Sequence, residues 1–115
     1  MPASALRRWW LRRTHGSGPW GALLQAAAAG EWVSLDLETT GLDPRSDHIL
    51  SLAAVPIRDG QVRLSERFER LVRPRREFGI ESIRHHLITP DEAAAGVPVE
   101  DAVRDFLHWL GSRTL

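Results

Sequence analysis

Two carboxylates separated by one residue are the part of this sequence best suited to chemistry. Asp36 and Glu38 lie in the stretch 36–42, DLETTGL. Side chains at i and i+2 of a strand point to the same face, so both carboxylates would face one point. Such like charges repel each other unless a cation lies between them, and hard divalent ions such as Mg²⁺ and Mn²⁺ prefer oxygen ligands. Two such ions stabilise the attacking and leaving oxygens of phosphodiester hydrolysis.

Taken alone, an Asp-x-Glu pair more often marks a solvated strand end or a helix cap than a metal site. Gly41, three residues after Glu38, favours the functional interpretation. A glycine adopts backbone conformations that other residues avoid, and it lets a substrate backbone approach closely. The elements around the pair must decide between the two interpretations.

The residues on either side of the pair predict three antiparallel strands. Residues 32–37 alternate between apolar and polar, while 48–57 are almost continuously apolar, as in a strand covered on both faces. Asp59-Gly60 is a hairpin turn signal. The third strand, 61–73, alternates imperfectly through four apolar residues: Val62, Leu64, Phe68 and Val72.

The second half of the chain predicts helices. Residues 80–87 favour a short helix, and Thr89-Pro90 is typical of a helix start. A longer helix is expected over 99–110, ended by Gly111, and 112–115 would begin a further strand. One apolar stripe on the longer helix comprises Val99, Val103, Phe106, Leu107 and Leu110.

The stretch 36–42 resembles the first exonuclease motif, D-x-E-T-T-G-L, of the DnaQ-like enzymes of the DEDD superfamily, which include proofreading subunits of bacterial DNA polymerase III. Three further segments resemble that family: 48–55 its second strand, 71–74 (LVRP) the end of its third strand, and 86–89 (HLIT) its HGIT segment. The resemblance covers about residues 32–115. It implies an α/β, RNase H-like fold with a mixed sheet whose first three strands are antiparallel.

The resemblance also implies roles for individual residues. Asp36 and Glu38 would be the catalytic metal ligands of a two-metal Mg²⁺ or Mn²⁺ site, with Asp36 bridging both ions. Thr39, Thr40 and Leu42 would line the pocket for the terminal nucleotide. The implied reaction is 3′–5′ exonuclease hydrolysis at single-stranded DNA or RNA ends, with DNA favoured by the ETTG form. Replication proofreading or repair, alongside a DNA polymerase subunit, is the implied setting, and His86 would be structural.

The family's second motif, with an Asp on a helix, and its third, with a His base and another Asp, have no counterpart in these 115 residues. We therefore expect 32–115 to be the N-terminal part of an exonuclease domain, truncated before the later motifs, and the isolated chain to be inactive. The alternative is a non-catalytic nucleic-acid-binding or polymerase-associated module. The downstream reading frame distinguishes the two, since an enzyme requires the later motifs.

Charge and composition support the remaining predictions. Residues 1–31 form a basic, Trp- and Arg-rich N-terminal extension, for which we predict helices over 4–14 and 20–29. The chain has no Cys, no Lys and no apolar run long enough to span a bilayer, which favours a bacterial, cytoplasmic protein without membrane contact. Between 67 and 76, five arginines either follow a phosphate backbone or protect an edge strand: Arg67, Arg70, Arg73, Arg75 and Arg76.

Overall fold

A computed structural model describes residues 3–76 and 86–115. The described helices are α1 (Ala3–His15), α2 (Pro90–Ala94) and α3 (Val99–Leu110). The strands are β1 (Glu31–Thr39), β2 (Ile49–Arg58), β3 (Gln61–Val62) and β4 (Phe68–Leu71), with 3₁₀ turns at Gly21–Leu24 and Leu64–Glu66. The helix expected over 80–87 falls almost wholly outside the described residues. None of the described helices has the length and apolar character needed to cross a membrane.

Strand β2 is the centre of the sheet. It pairs antiparallel with β1 on one edge and with β3 and β4 on the other. Asp59 and Gly60 join β2 to β3 with φ of 53° and 76°, which is the two-residue hairpin turn that the sequence predicts. Beyond β1, the Val33 N–H donates to the Thr114 carbonyl at 2.7 Å in a parallel bridge. The mixed sheet with antiparallel first strands is confirmed, and the strand expected over 112–115 consists of this bridge.

The core lies on one face of the sheet, beneath α3. Leu50, Leu52 and Ala54 of β2 are buried on this face, and Phe106 of α3 meets Phe68 edge-on with ring centroids 5.7 Å apart. The other face of β2 is half-buried, so the coverage expected on both faces is complete on only one of them among the described residues. Within residues 3–76 and 86–115, the sheet therefore has a packed face and a more open face.

The apolar stripe expected on α3 is partly wrong. Phe106 and Leu110 are buried as expected, but Val103 is 36% exposed and Ala102 is buried instead. A small residue fits where the helix lies closest to the sheet, which apolar periodicity alone does not reveal. Gly111, with φ of 59°, ends the helix as predicted.

The third strand is broken, contrary to the prediction of one strand over 61–73. The chain leaves the sheet at Leu64–Glu66, and the apolar residues Val62 and Leu64 are exposed. Two contacts stabilise the break: the Arg63 N–H donates to the Pro56 carbonyl, and Glu66 pairs with Arg58 at 3.1 Å. The other two apolar residues of the alternation, Phe68 and Val72, are buried.

The N-terminal residues form one helix, not two. The prediction over 4–14 is confirmed by α1, but 20–29 contains only the turn Gly21–Leu24, after which Gln25 is extended. Residues 26–29 are all alanines with exposed side chains, and a short helix without a buried face is marginal in water. The division between an extension and a domain at residue 31 stays a prediction.

Candidate active site

Asp36 and Glu38 lie on the open face of the sheet, near the end of β1. In the pairing with β2 they stand opposite Ala53 and Ser51, and directly opposed residues share a face. The Asp36 side chain is exposed and that of Glu38 is half-buried. Within residues 3–76 and 86–115, neither carboxylate makes a hydrogen bond or an ion pair. The sequence-based expectation that both acids share one face is therefore met by the strand register.

The residues of β2 beside the two acids have small side chains. Ala53 and Ser51 separate β1 from β4, where Glu69 stands opposite Ala53 and Leu71 opposite Ser51. Glu69 is consequently a third acid on this face, two strands away from Asp36. Sequence reasoning missed it, because its place depends on the register of β2 with β4. Glu69 pairs with Arg67 at 3.3 Å.

A bulge follows Glu38 immediately. Glu38 is opposite Ser51 but Thr39 is opposite Ile49, so Leu50 is the extra residue of β2. A bulge bends its strand and re-aims the neighbouring side chains, and bulges are frequent beside active sites. Here it ends the regular pairing of β1 directly after the second carboxylate.

The loop after β1 is held by its own side chains. The Thr40 hydroxyl donates to Asp47 Oδ1 and accepts from the His48 N–H, both at 2.9 Å. The Asp43 N–H donates to Asp47 Oδ2 at 2.9 Å, which closes the loop from its other side. Sequence reasoning missed the role of Asp47. The available signal was its type, since Asp and Thr in loops often bond to nearby backbone groups.

The structural reason for a glycine at position 41 differs from the expected one. Its φ is not positive, unlike those of Gly30, Gly60 and Gly111, so the expectation of an unusual backbone conformation is wrong. A Cβ at Gly41 would lie 2.7 Å from Cγ of Asp47. The position therefore excludes a side chain because the Asp47 carboxylate occupies that space.

The three residues expected to bind the terminal nucleotide differ in their surroundings. Leu42 is 98% exposed, so its whole side chain is available for contact. The Thr39 hydroxyl donates to the Gly41 carbonyl at 2.7 Å, and that of Thr40 is engaged with Asp47. Both hydroxyls therefore hold the loop, and nucleotide contact by these three residues stays a prediction.

His86 lines an open groove that also includes Glu38, Ser51 and Glu69. It is buried, and its Nδ1 accepts a hydrogen bond from the Ile88 N–H at 3.0 Å. This bond positions the segment that leads into α2. The structural role expected of His86 stays a prediction.

Three of the five arginines between 67 and 76 are engaged with acids. Arg67 pairs with Glu69, Arg70 with Asp105 at 3.2 Å, and Arg75 with Glu100. These exposed pairs favour the interpretation of a charged, protected edge strand over that of a phosphate-binding run.

The chemistry of the Asp36 and Glu38 carboxylates, which are unpaired within the described residues, fits a divalent cation as part of a site. Their oxygens are ligands that Mg²⁺ and Mn²⁺ prefer. Among the described residues, no three His, Cys, Asp or Glu side chains gather in a way that could hold a metal ion. Asp36 and Glu38 can thus supply some of the ligands, and the others must come from elsewhere.

Comparison with known families gives one match to a family model, described as Exonuclease, over residues 33–115. Among curated proteins, the PolC-type DNA polymerase III of Bacillus subtilis is 36% identical over 84 residues, 73% of this chain and 6% of the relative. That of Thermotoga petrophila is 37% identical over 79 residues, 69% of this chain and 6% of the relative. The chain thus spans only a small part of these relatives' length.

Two solved structures share the fold. Cell-death related nuclease 4 superposes with a TM-score of 0.63 at 18% identity, over 70% of this chain and 30% of the nuclease. The nuclease domain of 3′hExo, described as a DEDDh family member bound to rAMP, gives 0.61 at 16% identity, over 75% of this chain and 46% of that domain. The RNase H-like fold expected from the resemblance is confirmed by these neighbours.

Proposed function

The chain belongs to the exonuclease family, and from that premise we propose that it carries the first carboxylates of a metal-dependent 3′–5′ exonuclease site. The observation that carries the proposal is the placement of Asp36 and Glu38. Both lie on the open face of the sheet, over small side chains, and neither is paired within the described residues. Two negative charges so placed favour a cation as their partner.

The carboxylates of Asp36 and Glu38 would hold Mg²⁺ or Mn²⁺. When bound, such ions supply electrostatic stabilisation of the attacking and leaving oxygens in phosphodiester hydrolysis. Ala53 and Ser51, which line a groove with Glu38, have small side chains that would leave room for a nucleotide. The bulge after Glu38 and the Thr40–Asp47 bond hold the end of β1, so that both acids keep their direction.

The substrate we propose is the 3′ end of a single strand, with DNA favoured over RNA. Leu42, at 98% exposed in the loop that follows β1, would offer an apolar surface for the terminal base or sugar. Both curated relatives described above are DNA polymerases by name, which supports DNA and a replicative or repair setting with a polymerase partner.

We expect the 115-residue chain alone to release no nucleotides above background. The family resemblance places the general base and the remaining metal ligands in motifs that these residues do not contain. A general base alone contributes about 10²–10⁴-fold. The test is release of label from single strands marked at the 3′ or the 5′ end, with Mn²⁺ present. Digestion by this chain that Asp36→Ala abolishes would contradict the need for further motifs.

Where the reading frame continues beyond Leu115 with those motifs, the longer protein should release label from 3′ ends first. Asp36→Ala and Glu38→Ala should each lower the single-turnover rate by several orders of magnitude with unchanged circular dichroism. Asp59→Ala, in the hairpin turn at the other end of β2, is the matched control and should leave the rate unchanged. Equal effects of Asp36→Ala and Asp59→Ala would contradict the assignment of the site.

A further inference from the structure

Helix α1 carries a mixed aromatic and basic surface that the exonuclease family match, over 33–115, does not include. None of its residues is buried, and Trp9 and Trp10 are each 55% exposed. Large exposed aromatic side chains that support no core often mark a surface for a partner. We define the α1 surface by its exposed Leu6, Trp9 and Trp10 and by Arg7, Arg8 and Arg13, leaving out Arg12, which bonds to the Leu24 carbonyl.

The charge of this surface is uncompensated. No acid occurs before Glu31. Among the described residues, none of the four α1 arginines pairs with a carboxylate, whereas five arginines of the body do: Arg58, Arg67, Arg70, Arg75 and Arg104. The partner that complements such a surface is therefore an anion with flat apolar groups.

We propose that the α1 surface binds single-stranded nucleic acid without sequence preference. Bases stack on exposed Trp rings whatever their identity, and guanidinium groups bind the phosphates between them. Arg13 lies over the Trp9 ring, 5.7 Å from its centroid, so a cation stands at one face of a ring on which a base could stack. A ring next to a cation can bind a base and its neighbouring phosphate together.

The arrangement disfavours an anionic membrane as the partner. A helix that lies in a membrane interface separates an apolar face from a basic one. In α1, Arg13 is four residues from Trp9 and three from Trp10 and so lies on their side of the helix, whereas Arg8 and Arg12 lie on the opposite side. The basic residues are therefore not confined to a face of their own. Helix α3 shows the contrast, because its buried residues Ala102, Phe106 and Leu110 lie on one stripe.

The α1 surface is separate from the two carboxylates. Arg12 bonds to the Leu24 carbonyl, which fixes α1 to the turn Gly21–Leu24. Beside that turn, Trp20 stacks on His108 of α3 with centroids 4.6 Å apart. Because α3 covers the packed face of the sheet, α1 is anchored on the side away from Asp36. The proposal therefore goes beyond the exonuclease site and does not depend on it.

The test is fluorescence anisotropy of a labelled 16-nucleotide oligothymidylate with the whole chain in EDTA, which removes any contribution from a metal site. Trp9→Ala and Trp10→Ala should each weaken binding about 5- to 150-fold. Arg7→Gln with Arg8→Gln should lower the slope of log affinity against log salt by about 1.4, at about 0.7 per phosphate contact. Arg104→Gln removes a charge from α3 and should change nothing.

Two further comparisons separate stacking from mere charge attraction. A phosphodiester chain of the same length without bases should bind more weakly, and only the oligothymidylate should lose affinity in Trp9→Ala. Trp9→Phe should restore most of that loss, with helix content checked by circular dichroism. Equal binding to both polymers, no binding at all, or binding only to phosphatidylserine vesicles would overturn the proposal.

Discussion

The loop after β1 depends on the absence of a side chain at Gly41, and Gly41→Ala tests this dependence. A Cβ there would lie 2.7 Å from Cγ and from Oδ1 of Asp47, well inside the 3.4 Å at which ordinary contact begins. Either the carboxylate withdraws or the loop changes its path. Both responses disturb the residues that hold the end of β1.

The magnitude follows from the hydrogen bonds at risk. Asp47 accepts two, from the Thr40 hydroxyl and the Asp43 N–H, each at 2.9 Å. A hydrogen bond to a charged group contributes about 1.5–3 kcal/mol, and water replaces part of this at a half-exposed side chain. We therefore expect Gly41→Ala to lower the free energy of unfolding by about 2 kcal/mol, and Asp47→Ala to lower it by a similar amount.

The two substitutions act on the same contact, so their effects should not add. Once the carboxylate is gone, an alanine at 41 meets no obstacle, and the double variant should lose about 2 kcal/mol rather than twice that. Urea unfolding followed by circular dichroism measures all three variants. Hydrogen exchange at the Asp43 and His48 amides, which donate to Asp47 and Thr40, reports the loop directly.

Additive effects in the double variant would refute the reasoning, because they would mean that Gly41 and Asp47 act through different contacts. A Gly41→Ala variant as stable as the original chain, with unchanged exchange at Asp43, would refute the close approach itself. In either case the loop would not be the element that holds the end of β1.

Leu87 has a φ of 60°, which strains a non-glycine residue, and its side chain is 79% exposed. Leu87→Gly should therefore raise the free energy of unfolding by about 0.5–1 kcal/mol in thermal unfolding, and a decrease would show that this strain is absent. The backbone N–H and then the hydroxyl of Thr89 hold the pKa of Glu92 below its ordinary value. The contribution of these contacts to stability is present above the ordinary Glu pKa and is lost as the pH falls through the lowered pKa of Glu92. Thr89→Ala removes the hydroxyl and keeps the N–H, so it should raise the Glu92 pKa in an NMR titration, and an unchanged midpoint would argue against the hydroxyl contact. Phe106→Ala should lower the free energy of unfolding by about 3–5 kcal/mol, measured by chemical unfolding. Val103→Ala, at a 36% exposed position, should lower it by under about 1 kcal/mol. Equal losses would contradict the packing of α3.

The parts of the fold set by local patterns could be predicted from the sequence. The alternation over 32–37, the apolar run 48–57 and the Asp59-Gly60 turn together specify an antiparallel pair, and the pair carries Asp36 and Glu38 to one face. Strand periodicity is enough for this, since it requires no knowledge of distant contacts.

The parts set by distant contacts could not be predicted. The break between β3 and β4 depends on Glu66 reaching Arg58, and the place of Glu69 depends on the register with Ala53. Likewise, the Ala-rich stretch 26–29 has strong helix formers but nothing to bury them against. Propensity favoured a helix there, and the lack of a packing partner prevented it.

The most direct test of the central claim is a Mn²⁺ titration of the isotopically labelled 115-residue chain, followed by paramagnetic broadening of its amide signals. If Asp36 and Glu38 together hold the cation, broadening should be strongest at these two residues and at Ala53 across the strands. Asp36→Asn should abolish the broadening, while the spectrum should remain that of a folded protein. Broadening centred on Asp43 and Asp47 in the loop, or broadening that survives Asp36→Asn unchanged, would contradict the account.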